Sequence, residues 1–140
     1  MTTVREGRPA DLPRLRAIQS ALAEPWPELL ETATDGPLPL FVLDDGGPVG
    51  YALVVGESDG VAYVPEFAVH PDRQGEGYGS ELMDWLRDRL AGEYTELRLT
   101  VAASDERARG FYRSHGFEQV ERLEDNFESG DGLLLACPLD

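Results

Sequence analysis

The chain has 140 residues and a formal net charge of −15, because 27 Asp and Glu residues stand against 12 Lys and Arg residues, all of them Arg. The 41% of apolar residues is enough for a hydrophobic core, and the length predicts a single domain over residues 1–140. This composition excludes a disordered acidic tail, a sequence-independent nucleic-acid binder, a membrane-spanning segment and, with one cysteine, an internal disulfide or a thiolate zinc site.

Turn signals and apolar spacing predict the element order β-α-α-β-β-β-α-β-α-β-β. Asp11 is expected to cap the first helix, in which Leu15 and Ile18 follow Leu12 at helical spacing. This order predicts an α/β fold of the mixed-sheet, α+β type. The expected ranges are strand 4–6, a helix from 12, helix 28–33, strands 40–43, 49–55 and 61–69, a helix after the loop at 74–79, strand 97–101, a helix after residue 105, and strands 117–121 and 133–139.

A glycine-rich loop, residues 74–79, leads from the strand that ends at Val69 directly into a helix. A helix start offers unpaired N–H groups and partial positive charge, and glycines let the backbone approach a bulky anion. The pattern predicts a phosphate cradle; the alternative is a turn that allows tight strand–helix packing. The absence of Lys excludes a P-loop, and the glycine spacing differs from that of a Rossmann fingerprint. The expected donors are the amides of Gly75, Gly77, Gly79 and Ser80, with Arg73 or Gln74 beside them.

Residues 66–82 resemble the acetyl-coenzyme A binding motif of the GNAT superfamily of N-acetyltransferases, in which Gln or Arg is followed by two residues, Gly, one residue, and Gly or Ala. Gln74, Gly77 and Gly79 occupy those positions. A second family motif is similar to residues 105–117, and the opening segment with Asp11 resembles the family's first strand and helix. The resemblance therefore covers the whole chain and implies a GNAT-like fold with splayed strands 4 and 5.

The resemblance also implies a mechanism in which acetyl-coenzyme A is the co-substrate and no metal takes part. The backbone of Phe67, Ala68 and Val69 would pair with the pantetheine arm, and the amide of Val69 would polarise the thioester carbonyl. The loop from Gln74 to Ser80 would hold the pyrophosphate. Tyr112 matches the position that commonly protonates the departing thiolate; the alternative is a packed helical aromatic. The acceptor amine would then attack the thioester directly in a ternary complex.

Glu66 is the candidate general base, because the attacking amine must be neutral and strand alternation places Glu66 on the face of Ala68. A structural or surface glutamate is the alternative, and His70 is either a second candidate base or a loop residue. Asp105 stands where the family motif has a coenzyme-binding Asn, so it keeps the helix cap and lacks an amide donor. Pro65 interrupts a strand that the family places centrally, which requires a bulge or the parting of strands at that point.

These features together predict an enzyme, an N-acetyltransferase that moves an acetyl group to a primary amine of a small molecule or a protein. The alternative is a catalytically silent module that binds or senses acyl-coenzyme A. The acceptor itself is left open. Trp26 and Phe41 either line an acceptor pocket or are core or lid aromatics, and residues 123–132 are expected to form a solvated acidic loop, with attraction of a cationic acceptor as the alternative. Pairing of the last strands would allow a homodimer, and neither nucleic acid nor a membrane is an expected partner.

The acidity has two interpretations: attraction of a cationic substrate, or adaptation to high salt, where the Debye length shrinks to ~3 Å at 1 M. Acidic residues in every segment and the replacement of all Lys by Arg favour a halophilic source. No cationic segment followed by an apolar run opens the chain, so we expect no cleaved signal peptide and a cytoplasmic location.

Overall fold

The computed structural model describes residues 2–22, 24–36, 38–128 and 130–139. Two compact units make up the chain: Met1–Val55 with Pro65–Leu86, and Gly56–Val64 with Arg87–Asp140. A single domain over residues 1–140 stays a prediction, whereas the mixed α/β fold is confirmed. The elements are β1 (Thr3–Glu6), α1 (Leu12–Gln19), α2 (Pro27–Thr34), β2 (Leu40–Asp44), β3 (Pro48–Leu53), β4 (Val55–Gly56), β5 (Val61–Tyr63), β6 (Phe67–Val69), α3 (Tyr78–Leu90), β7 (Glu96–Ala102), α4 (Glu106–Ser114), β8 (Glu118–Phe127) and β9 (Gly130–Pro138).

The sheet of the first unit has the strand order β1-β2-β3-β6, and all its pairings are antiparallel. Successive side chains of β2 point to opposite faces, and residues 40–43 are all buried, so both faces of this strand are covered. On one face Leu40 and Val42 join a core with apolar residues of α1 and α2. Phe41, one residue out of phase, packs on Trp85 of α3 with ring centroids 5.0 Å apart. Phe41 is therefore a core residue, which agrees with one of the two sequence interpretations.

Asp11 precedes α1 as expected but does not cap it with its side chain. A short 3-10 turn, Pro9–Asp11, precedes the helix, and the Asp11 carboxylate accepts a hydrogen bond from the Arg8 amide at 2.9 Å. The Arg5 guanidinium donates to both Asp11 oxygens, at 2.8 and 2.9 Å. The expectation of a side-chain cap is wrong because the guanidinium of β1 and the turn amide together draw the carboxylate away from the helix end.

The predicted fourth strand, residues 61–69, is two strands rather than one. Its first part, β5, pairs in parallel with β7, and its second part, β6, pairs antiparallel with β3. The ladder stops at Pro65, which has no N–H to donate. The predicted parting of strands at this proline is confirmed, since β6 ends the first sheet while the neighbours of β7 in the second sheet are β5 and β9.

The second unit carries the sheet β4-β5-β7-β9-β8. Buried and partly exposed residues alternate along β7, as a strand with one face in the core requires. The buried residues of β7 pair with buried residues of β9, and Cys137 lies among them. The register joins Leu97 to Cys137, Leu99 to Leu135 and Val101 to Leu133.

The hairpin of β8 and β9 is longer than the sequence predicted. Of residues 123–132, expected to be an acidic loop, 123–127 continue β8 and 130–132 begin β9; residue 128 is a turn, and residue 129 lies outside the described residues. Since β8 is mostly exposed and irregular in register, it has no apolar alternation by which a strand could be predicted. In the described part of the chain, no helix is both long and apolar enough to cross a membrane.

Candidate active site

The edge strand β6 presents backbone groups on the side away from β3. His70 donates its amide to the carbonyl of Val49 at 2.8 Å, so the backbone faces β3 at this residue. Because the direction of the N–H groups alternates along an antiparallel strand, the amide of Val69 points away from β3. The resemblance assigns the pantetheine arm to this segment, and an edge strand is suited to pairing with an added extended chain.

The glycine loop has the backbone conformation that only glycine adopts readily. Gly75 and Gly77 have φ angles of +84° and +89°, and a Cβ added at either one would meet no atom within 4 Å. The space beside them is open, and α3 begins at Tyr78, so Gly79 and Ser80 lie in its first turn. Such a helix start carries amides without intrahelical acceptors. The residues fit a phosphate group in conformation, space and partial charge.

The loop is tied to β6 and to a cluster of charged side chains. The Gln74 side-chain amide donates to the carbonyl of Val69 at 3.2 Å. Arg73 lies 3.5 Å from the Asp45 carboxylate and 3.3 Å from that of Glu76, and it stacks over the Tyr78 ring at 5.0 Å. The Arg73 guanidinium also donates to the Tyr78 hydroxyl, which donates to Asp45. This hydrogen bond lowers the pKa of Asp45 and raises that of Tyr78.

Glu66 lies between Pro65, where the strands part, and the start of β6. It is buried, with 5% of its surface exposed. Its Oε1 accepts from the Tyr51 hydroxyl at 2.8 Å and the Gln19 side-chain amide at 3.0 Å. Its Oε2 accepts from the Trp26 backbone amide at 2.7 Å and from the same Gln19 group at 3.2 Å. Burial first, and then the charge of Glu66, raise the pKa of Tyr51, which keeps its hydroxyl protonated as a donor. The predicted face is confirmed, because Tyr51 and Ala68 belong to the same core cluster.

Tyr112 and Asp105 lie in the second unit, on and before α4. The Tyr112 ring is buried and packs edge-on against Phe111 and Phe117, with centroids 5.2 and 5.5 Å away. Burial, and secondarily the charge of Asp105, raise the pKa of Tyr112. The phenol therefore carries its proton at neutral pH, as a proton donor must. Asp105 caps α4 by accepting from the Ala108 amide at 3.0 Å, which confirms its predicted cap.

The structure brings most of the predicted residues together in the first unit. Phe67, Ala68 and Val69 form β6, and the loop residues from Arg73 to Ser80 follow it without a break. His70 faces its own loop, because its Nδ1 accepts from the Asp72 amide at 3.1 Å. Within residues 2–22, 24–36, 38–128 and 130–139, no group of His, Cys, Asp and Glu side chains is arranged to hold a metal ion.

Sequence reasoning missed the partners of Glu66 and Arg73. Gln19 lies in α1 and Tyr51 in β3, and nothing in their sequence spacing links them to residue 66. Asp45 lies in the turn between β2 and β3, and its contact with Arg73 joins residues far apart in the sequence, which no local pattern shows. Trp26 is 56% exposed, so it is not a core aromatic.

Comparison with known proteins agrees with this architecture. The profile of the acetyltransferase (GNAT) family matches residues 9–117. The chain is 30% identical over 146 residues to [ribosomal protein bS18]-alanine N-acetyltransferase of Escherichia coli strain K12, and the match covers 99% of both. Among solved structures, the E. coli ribosomal-protein-S18-alanine N-acetyltransferase superposes with a TM-score of 0.86 at 27% identity, covering 100% of this chain and 95% of that one.

Two further solved structures extend the comparison. Ard1 from Thermoplasma volcanium has a TM-score of 0.89 at 25% identity, covering 99% of this chain and 98% of that one. A GNAT family acetyltransferase from Elizabethkingia anophelis, solved with acetyl-CoA bound, has a TM-score of 0.84 with the same coverage. At 16% identity, this similarity shows only that the two chains share a fold.

Proposed function

Because this chain belongs to the acetyltransferase (GNAT) family and is an acyltransferase, we propose that it transfers an acetyl group from acetyl-coenzyme A to a primary amine. The observation that carries the proposal is the glycine loop at the start of α3. Gly75 and Gly77 hold positive φ angles beside open space, directly after an edge strand. This arrangement suits a ligand with a pyrophosphate and an extended arm.

The chain's own residues would divide the work as follows. The amides of Gly75, Gly77, Gly79 and Ser80, with the side chains of Arg73 and Gln74, would hold the pyrophosphate. The backbone of residues 67–69 would hold the pantetheine arm, and Asp105 would lie near the coenzyme. When bound, acetyl-coenzyme A supplies an activated thioester. The Val69 amide would polarise its carbonyl for direct attack by the amine.

Tyr112 would donate a proton to the leaving sulfur, since burial keeps its phenol protonated. The acceptor amine must lose a proton to a base or to a water relay. The base role of Glu66 stays a prediction. Its carboxylate already accepts hydrogen bonds from Gln19, Tyr51 and Trp26 within the chain.

The acceptor class that we propose is the α-amine at a protein N-terminus. The E. coli relative, 30% identical over its whole length, is named for an alanine of ribosomal protein bS18. Trp26, an exposed aromatic between α1 and α2, is suited to contact an acceptor chain. A halophilic, cytoplasmic enzyme would be consistent with the composition, which holds 27 acidic residues and no Lys.

The test is release of coenzyme thiol in ~1 M salt, measured with a thiol reagent. The single cysteine, Cys137, is buried at 1% exposure, so the protein itself contributes little signal. We expect thiol release with a peptide that begins with a free alanine and carries an internal lysine. We expect no release when the N-terminus of the same peptide is acetylated, which leaves the lysine as its primary amine. Acetyl-coenzyme A should also raise the melting temperature. No thermal shift at saturating coenzyme would refute binding, and a shift without thiol release on any amine would leave a silent binding module.

A further inference from the structure

Glu66 is a connecting point for three separate segments of the first unit. Its carboxylate binds the Gln19 side chain at the end of α1, the Tyr51 hydroxyl in β3 and the Trp26 amide before α2. Its own carbonyl accepts from the Leu53 amide at 2.9 Å, so its backbone is held by β3 as well. A buried carboxylate needs compensation of this kind, and here the donors come from elements far apart in sequence.

The contact with Trp26 is the most informative of these bonds. Trp26 stands between Pro25 and Pro27, neither of which has a backbone N–H. The Trp26 amide is therefore the one backbone donor that residues 25–27 contain, and it donates to Glu66 Oε2 at 2.7 Å. The Trp26 carbonyl accepts the first hydrogen bond of α2, from Leu30 at 3.3 Å. Trp26 thus stands at the N-terminal end of α2, directly before Pro27, the first residue of the helix.

We propose that Glu66 is a positioning residue, whose buried carboxylate fixes the backbone of Trp26 at the start of α2 and so places its exposed indole. Its effect on acetyl transfer rests on the proposed function, since it acts on the segment that would meet the acceptor. The role differs from that of a general base. A base exchanges a proton with the acceptor, whereas this carboxylate accepts hydrogen bonds from a phenol, an amide side chain and a backbone amide.

Glu66→Gln is the direct test. It keeps the size of the side chain but replaces one acceptor oxygen with an NH2 group, which has no lone pair for a donor. We expect the Trp26 amide to exchange with solvent on the order of 10- to 100-fold faster in a ¹⁵N-resolved hydrogen-exchange experiment, which is the factor that a charged hydrogen bond contributes. This readout needs no substrate and does not depend on the proposed function.

Kinetics with the alanine peptide give the second readout. Positioning predicts that Glu66→Gln raises the peptide KM several-fold, while the pH profile of kcat/KM keeps its shape. Tyr51→Phe should have a smaller effect in the same direction, because it removes one donor and leaves the carboxylate. A base role predicts a different result: Glu66→Gln abolishes the acidic limb of the profile, because the group that takes the proton from the amine is gone.

The outcomes separate cleanly. Unchanged exchange of the Trp26 amide in Glu66→Gln overturns the inference, and so does loss of the acidic limb. Faster exchange with a raised peptide KM and a retained limb supports it. If Glu66→Gln does not fold, Gln19→Met and Tyr51→Phe replace it, since each removes one donor and each must accelerate Trp26 exchange. If no amine is acetylated, the proposed function fails, and the exchange measurement still decides whether Glu66 holds this segment.

Discussion

Removing the negative charge of Glu76 should tighten coenzyme binding. The Arg73 guanidinium is the cation beside the glycine loop, and the Glu76 carboxylate lies 3.3 Å from its Nε. In the proposed function Arg73 serves the coenzyme phosphates, so Glu76 both competes for Arg73 and repels the same phosphates. Glu76→Gln keeps the shape of the side chain and removes both effects.

The expected gain is modest because the pair is open to solvent. The side chains of Arg73 and Glu76 are 34% and 48% exposed. Exposed ion pairs contribute about 0.2–1 kcal/mol, after screening by water. Losing a competitor of this strength lowers the dissociation constant of the coenzyme by roughly 1.4- to 5-fold. The gain should be largest at ~0.1 M salt and should vanish near ~1 M, where the Debye length of ~3 Å is close to the separation of the pair.

Isothermal titration of coenzyme A against wild type and Glu76→Gln, at low and at molar salt, measures the effect. Asp88→Asn is the matched control, because it removes one exposed carboxylate from α3, outside the glycine loop. Equal tightening in both variants would mean that net charge, and not competition for Arg73, sets the affinity. Weaker binding in Glu76→Gln at low salt would refute the reasoning, since Glu76 would then support the loop.

Three further predictions concern the loop, the N-terminal ion pair and catalysis. Gly77→Ala should lower the free energy of unfolding in urea by about 1–2 kcal/mol. The reason is backbone strain, since φ at Gly77 is +89° and the space beside it is open; an unchanged unfolding midpoint would contradict that conformation. The Arg5 guanidinium lowers the pKa of Asp11, so the pair stabilises the fold fully above the unfolded-state pKa of ~3.9 and loses this effect as pH falls through the lower folded value. The stability difference between wild type and Asp11→Asn should therefore shrink below pH ~4, whereas a difference independent of pH would exclude this linkage. Tyr112→Phe should reduce turnover at unchanged coenzyme affinity, measured by thiol release and titration, and full turnover would remove Tyr112 from the mechanism.

The parts of the fold that could be predicted are those that depend on residues close together in the sequence. Apolar spacing and turn residues predicted the four helices and the mixed α/β fold, because each of these signals acts within a few residues. The break at Pro65 was predictable from one missing N–H. The extension of β8 was not, because an exposed edge strand needs no apolar periodicity and its pairing is decided by β9.

The candidate site likewise has one part that the sequence predicts and another that it does not. The glycine loop was predictable because glycine at positions of positive φ leaves a signature in the sequence. The partners of Glu66 were not, since Gln19 and Tyr51 lie 47 and 15 residues away from it. A lone buried carboxylate is a common sign of catalysis, and only its hydrogen bonds show that three donors already hold it.

The charge of the loop bears on how so acidic a chain could hold a polyanionic coenzyme. Arg73 is opposed by Asp45 and Glu76, so these side chains together contribute no net positive charge. The attraction must then come from the backbone at the start of α3, where aligned peptide dipoles amount to about half a positive charge. Such dipoles act over the first helical turn and do not depend on the overall net charge of −15. Salt screens the repulsion between the distant carboxylates and the coenzyme more completely than it screens contacts made within one helical turn, so the net charge opposes binding by this loop less at high ionic strength.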